Sequence, residues 1–200
     1  MCRRWTTTRG TWRICSIRSG SRRAVIGGLS LGGYVAFALF RRAPERFRAL
    51  VLADTRAEAD AAEARASRTR LIALAGTDGI GAIADDFAPK LLGTTTKETN
   101  PGLLERVRQI ITTNQASAVQ AALAAMMRRE DSTALLPAIT VPTLVIVGDE
   151  DQLTPPALSA SMRAALPRAS LVVIPKAGHL PNLEQPEAFN AALLTFLGGL

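Results

Sequence analysis

Residues 28–32 of this chain read Gly-Leu-Ser-Leu-Gly, a G-x-S-x-G pentapeptide set between a short apolar run, residues 24–27, and a helix-compatible run, residues 31–42. That placement constrains the fold more than any other stretch. A serine between a buried strand and a helix stands on a turn so tight that glycines must flank it, with its hydroxyl held clear of the backbone. Such a turn is a nucleophile elbow. The pentapeptide alone is a weak signal, because glycine and serine are common residues. The rest of the chain has to supply a base and an acid for the hydroxyl.

Residues 24–27 are uniformly apolar, as expected of a strand covered on both faces of a parallel sheet. The helix over residues 31–42 carries Gly32 and Gly33, each costing about 1 kcal/mol of helix propensity, a cost that makes sense where a helix must pack closely beneath the turn. Pro44 stops it. Residues 48–53 repeat the buried-strand pattern, so strand, helix and strand form a right-handed parallel crossover. Residues 141–148 are the clearest strand, with Pro142 at its entrance, and residues 171–174 are a fourth. Helices follow from Pro155-Pro156 to about Ala165 and from Glu187 to Leu197, the latter started by Pro186.

Between Arg56 and Leu136 there is no strand signal. Alanine-rich, charge-studded stretches at residues 57–75, 79–92, 102–113 and 116–129 predict an inserted helical lid. Phe87, Met126 and Met127 lie at helical spacing and read as packing residues, and the charges from Glu58 to Arg70 as a solvated helix face. The expected architecture is an α/β fold: a core over residues 24–55 and 137–200, a parallel sheet of about four strands, and a helical lid over residues 56–136.

The opening 23 residues differ in kind. They hold seven of the arginines and no acid, and both cysteines and both tryptophans, whereas the remainder balances 17 bases against 17 acids. The formal charge of +7 is therefore local, and argues for no nucleic-acid partner of the body. With Cys2 and Cys15 confined there, the body has no disulfide framework or thiolate metal site, which fits a cytoplasmic setting. The segment reads as a basic disordered arm, or as the product of a shifted reading frame. Moving the frame back by one base permits LADLLDSLGIA over Trp12 to Arg22. Its apolar residues then fall at the places of Trp12, Cys15, Ser16 and Ser19, the i, i+3, i+4, i+7 spacing of an amphipathic helix. The apolar stretch 24–40, flanked by Arg22-Arg23 and Arg41-Arg42, superficially matches a twin-arginine signal or a membrane anchor. It is short for a span, however, and interrupted by glycines.

Three polar residues follow strands of one parallel series: Ser30 the first, Asp151 the third and His179 the fourth. Parallel strands bring their carboxyl ends to one rim, where open α/β sheets place their sites. A serine hydroxyl is a poor nucleophile without an adjacent base, and the imidazole needs a carboxylate to fix its tautomer and stabilise its cation. His179 is the only histidine, and a lone loop histidine more often packs or caps; the order Ser, Asp, His is nonetheless the one expected of this elbow. Asp151 is preferred as the acid over Asp149, which lies next to the strand end and serves the turn. Asp54, after the second strand, is the alternative acid, or else a helix cap at the entrance to the lid.

With these residues in place the chain resembles the α/β-hydrolase family. The resemblance rests on Gly28 to Gly33 at the elbow and on Gly148-Asp149-Glu150-Asp151 with Thr154-Pro155 for the acid. For the base it rests on Ala177-Gly178-His179 followed by Asn182-Leu183-Glu184 and Pro186, and in all it covers residues 24–200. Leu52-Ala53-Asp54-Thr55-Arg56 is most similar to the enol-lactonase-like and small-esterase branches, and cofactor-free haloperoxidase-like members share these motifs. The resemblance implies a serine hydrolase that cleaves a carboxylic ester or lactone through an acyl-enzyme. Ser30 would be the nucleophile, His179 the general base and then acid, Asp151 its orienter and the Leu31 N–H an oxyanion donor. It implies no metal, no cofactor, and no membrane or nucleic-acid partner; the partner is a small-molecule ester or lactone. Family members carry four strands and a helix ahead of the elbow, with a loop that gives a second oxyanion N–H. None of these is recognisable before residue 24, so a truncated chain is expected, with the edge of its first strand bare and one donor fewer. Loss of one such donor costs about 10²- to 10³-fold in rate, and the competing expectation is a catalytically inert remnant.

Overall fold

A computed structural model describes residues 22–200 in full and, before them, the backbone of two strands, β1 (Arg3–Thr7) and β2 (Gly10–Ile14). These two pair antiparallel, with Trp5 opposite Trp12. The expectation of an arm without regular structure is corrected for them. Threonine, tryptophan and isoleucine favour extended backbone, and they outweigh the arginines beside them. The shifted-frame helix falls largely on residues 15–21, outside the described residues.

The main sheet has four parallel strands in the order β3 (Ala24–Leu29), β4 (Phe47–Ala53), β5 (Thr143–Gly148) and β6 (Ala169–Ile174). Its interior strands show the period-two logic of a doubly covered sheet. Leu50, Leu52 and Val145 point into one core with Phe37 and Phe40 of α1 (Leu31–Arg42), while Val51, Ala53, Leu144 and Ile146 point into the other. The first core is closed by Leu136, Ile139 and Met162, and Phe40 meets Phe47 edge-on with ring centroids 5.0 Å apart. The second is covered by Phe189, Leu193 and Phe196 of the last helix.

β3 departs from the expectation of burial on both faces. Among the described residues no strand lies beyond it, and its residues are half-buried, with Gly27 exposed. Val25 and Leu29 line an open apolar cleft of about 440 Å³ together with Val51, Phe189 and Leu193. The apolar stretch 24–40 is a strand and a helix, and no helix among the described residues is long and apolar enough to cross a membrane.

Between β4 and β5 the described chain is helical: α2 (Ala62–Thr77), α3 (Gly79–Phe87), α4 (Thr94–Thr99), α5 (Pro101–Thr112) and α6 (Ala116–Met127). Phe87 and Met126 pack against the cluster of Leu71, Ile83 and Leu123, as their spacing predicts. The solvated-face expectation fails for Asp60. Its carboxylate is almost fully buried between the Arg68 and Arg129 guanidiniums, each 2.6 Å away. Two cations that chelate one anion replace the hydration it loses. Arg129 also lies 4.1 Å from the centroid of the Tyr34 ring, joining the helical unit to α1. The chain then runs through β5, α7 (Pro156–Ala165), β6, the single turn α8 (Pro181–Glu184) and α9 (Pro186–Gly198).

Candidate active site

The carboxyl ends of β3 to β6 form one rim, and each turn leaving that rim is stitched to the next strand. Ser30 N donates to Ala53 O at 2.9 Å, Asp54 N to Ile146 O at 2.9 Å and Asp149 N to Ile174 O at 3.0 Å. The ladder thus continues one step past the strands, and holds the loops that carry the polar residues in fixed relation.

Ser30 has φ 51° and ψ −112°, a conformation that costs a non-glycine residue about 1–3 kcal/mol and persists only where the surroundings enforce it. The carbonyl of Ser30 accepts the Gly33 N–H at 2.9 Å and the Thr55 hydroxyl at 2.8 Å, so the turn after β4 braces the elbow. A Cβ on Gly28 would fall 2.1 Å from the Gly32 carbonyl carbon, so a side chain there is impossible without moving the helix. The reading that glycines must flank the serine on both sides is corrected at Gly32, where an added Cβ would meet nothing within 4 Å. Leu31 is the first residue of α1, and its N–H has no carbonyl one turn earlier in the helix to receive it.

Asp151 and His179 meet. The imidazole Nδ1 lies 2.9 Å from Asp151 Oδ2, and both residues are buried. Asp151 Oδ1 accepts the N–H groups of Leu153 at 2.8 Å and Thr154 at 3.0 Å, and the Thr154 hydroxyl donates to Oδ2. Burial opposes ionisation of this carboxyl, but His179 and Thr154 together outweigh it and hold Asp151 below the usual carboxylate range. With Asp151 accepting, Nδ1 carries the hydrogen and Nε2 is left free to take a proton. The two loops touch at their backbones: a Cβ on Gly148 would sit 2.1 Å from Gly178 O.

The other carboxylates sort themselves. Asp149 Oδ1 accepts the Ala177 N–H at 3.3 Å and serves the turn as expected. Asp54 caps nothing, because the next helix begins at Ala62; the capping role is corrected. It is fully buried at φ 44°, its Oδ1 accepts the Gly148 N–H at 3.0 Å, and it shares a 4.8 Å cluster with Asp151 and His179. Ser30 lies on the same rim, with no hydrogen bond from its hydroxyl to the imidazole.

Two glutamates of the quoted motifs have partners that the sequence did not show. Glu184 accepts three backbone N–H groups, from Gly93 at 2.7 Å, Gly178 at 2.8 Å and Leu180 at 3.1 Å, and so pins the His179 loop to the segment before α4. Glu150 accepts the Thr95 N–H at 2.8 Å and its hydroxyl, binding the acid loop to α4.

Comparison with known proteins agrees with this fold. The profile of the alpha/beta hydrolase family matches residues 5–192. A pimeloyl-[acyl-carrier protein] methyl ester esterase of Neisseria meningitidis serogroup C is 34% identical over 186 residues, spanning 88% of this chain and 70% of that protein. A thermophilic esterase from Thermogutta terrifontis superposes with a TM-score of 0.85 at 42% identity, over 88% of this chain and 65% of that one. The enol-lactonase from Burkholderia xenovorans LB400 superposes with a TM-score of 0.79 at 29% identity, over 88% and 66%. The chain thus spans about two thirds of the length of these relatives. A parallel sheet with a serine elbow, an aspartate and a histidine on one rim, matched by the family profile over nearly its whole length, means that the chain belongs to the alpha/beta hydrolase family.

Proposed function

We propose that this chain hydrolyses a carboxylic ester or lactone of a small molecule through an acyl-enzyme. The observation that carries the reading is the buried Asp151–His179 hydrogen bond of 2.9 Å on the same rim as a serine held at φ 51°. The Ser30 Oγ attacks the carbonyl carbon while His179 Nε2 takes its proton; the tetrahedral oxyanion is met by the Leu31 N–H at the start of α1. As the carbon–oxygen bond to the leaving group breaks, Nε2 returns the proton to that oxygen. Water then attacks the acyl carbon with one of its protons passing to Nε2, and Nε2 gives that proton to Ser30 Oγ as the bond from Oγ to the acyl carbon breaks and the acid leaves. Contacts between such a hydroxyl and its imidazole commonly tighten only when substrate docks. No step calls for a metal or cofactor. The relatives named as esterases and an enol-lactonase support this substrate class, and the helices between β4 and β5 act as the lid that selects among its members.

The competing reading, a catalytically silent hydrolase remnant, draws on the half-buried β3 and the open cleft beside it. One experiment separates the two. A fluorophosphonate probe is expected to label the chain at Ser30, with labelling abolished in Ser30→Ala and slowed by about 10⁶-fold in His179→Ala. A folded chain that leaves the probe untouched supports the remnant.

A further inference from the structure

One buried group at the rim has no part in the mechanism above. Asp54 is fully buried, its Oδ1 accepts the Gly148 N–H, and its Oδ2 has no donor facing it. An ionised carboxylate in that position would leave a buried charge half unpaired, which is costly. Among the described residues no cation compensates it: Arg56, two residues on, gives its guanidinium to the Leu153 carbonyl. The charged or titratable groups that face Asp54 are Asp151, His179 and Glu184. Two carboxylates packed this closely in a buried site cannot both ionise. Asp151 is the one that stays charged, because two N–H groups, a hydroxyl and the imidazole converge on it.

We propose that Asp54 is a positioning residue of this site, a neutral carboxylic acid whose proton on Oδ2 is donated to the Asp151 carboxylate, so that Asp151 is held between Asp54 and His179. The role in turnover rests on the hydrolase reading; the proton itself does not. The shared proton satisfies the otherwise unpartnered oxygen and holds the Asp151 carboxylate in place against the imidazole. A cation in place of the proton is disfavoured, since Nδ1 already uses its hydrogen toward Asp151 and offers no lone pair. The electrostatics agree. Burial, against the Gly148 N–H and reinforced by the charges of Asp151 and Glu184, pushes the Asp54 carboxyl up to about 9.

The test needs no substrate. In the whole chain labelled with ¹³Cγ-aspartate, one carboxyl signal is expected at the protonated position at pH 7, titrating with a midpoint near 9 and missing from Asp54→Asn. His179 is the only histidine, so its imidazole ¹⁵N signals report a single residue. They are expected to show an inflection with that same alkaline midpoint in the parent chain and none in Asp54→Asn. Asparagine keeps the acceptor for Gly148 and tolerates positive φ. Aspartate carboxyls all ionised by pH 6, or an imidazole inflection at that alkaline midpoint that survives in Asp54→Asn, would overturn the proposal. Should Asp54→Asn fail to fold, the carboxyl titration of the parent chain decides alone. An inert Ser30 toward the fluorophosphonate tells against the hydrolase reading, and the protonation of Asp54 is then decided by the carboxyl titration.

Discussion

At the scale of single residues, the elbow distributes its demands unevenly between two glycines that look equivalent in G-x-S-x-G. Gly28 faces the backbone of α1, where a Cβ would lie 2.1 Å from Gly32 C and 2.2 Å from its oxygen, both of them backbone atoms that cannot rotate away. Gly32 faces open space and, inside α1, only forfeits helix propensity. Gly28→Ala is therefore expected to destabilise the chain by about 3 kcal/mol or more, at the upper end for overpacking. Gly32→Ala is expected to be neutral or to stabilise by up to about 1 kcal/mol. Urea unfolding of the two variants checks the contrast, and equal losses would mean that the motif is held by something other than this close approach. The pattern was readable because both glycines appear in the sequence. Which of them the packing requires was not, since that depends on the angle at which α1 leaves Ser30.

Between elements, the site is held by carboxylates whose partners are far apart along the chain. Glu184 ends α8, yet its three hydrogen bonds reach Gly93, Gly178 and Leu180. Glu184→Ala strips all three and is expected to cost about 2–3 kcal/mol, the magnitude for losing hydrogen bonds to a charged acceptor. It should also lower kcat more than it raises KM, because the His179 backbone loses its anchor while the substrate surface stays. Glu184→Gln is expected to fare little better, since its amide nitrogen would face either Gly93 N or the pair Gly178 N and Leu180 N. Chemical denaturation together with steady-state hydrolysis of a p-nitrophenyl ester reads both effects. The elements themselves were largely legible. Apolar runs marked all four strands of the main sheet, and α1 begins and ends where its pattern does. What escaped were features made by tertiary contact: the single turn of α8, the short α4, the paired strands β1 and β2, and the burial of Asp60 beneath two arginines. The same holds for the candidate site. Ser30, Asp151 and His179 could be named from strand order, whereas what Thr154, Glu184 and Asp54 touch depends on which loops meet.

For the molecule as a whole, shifted carboxyls set the dependence of stability on pH, and they act in two windows of opposite sign. The first comprises Asp60, Asp86, Asp131, Glu150 and Asp151, all held below their ordinary values in the folded state. Each adds stability that is fully present above the unfolded value and lost as pH falls through the folded one, so acid weakens the fold. The second window belongs to Asp54. Its folded value of about 9 lies above the ordinary 3.8, so between those limits the native state binds one proton more than the unfolded chain. Its contribution is complete below pH 4 and is lost as pH rises toward 9, at a limiting slope of about 1.4 kcal/mol per pH unit for a single proton. Between pH 5 and pH 9 the first group is already ionised in both states and contributes no slope, which leaves Asp54 as the carboxyl that tilts the curve. Asp54→Asn keeps the shape of the side chain and removes the titration. Its stability relative to the parent chain is expected to improve steadily from pH 5 to pH 9 and to level off above that, as urea midpoints at half-unit intervals would register. Parallel curves for the two proteins would mean that Asp54 is already charged at neutral pH, with a buried cation or water absorbing the cost.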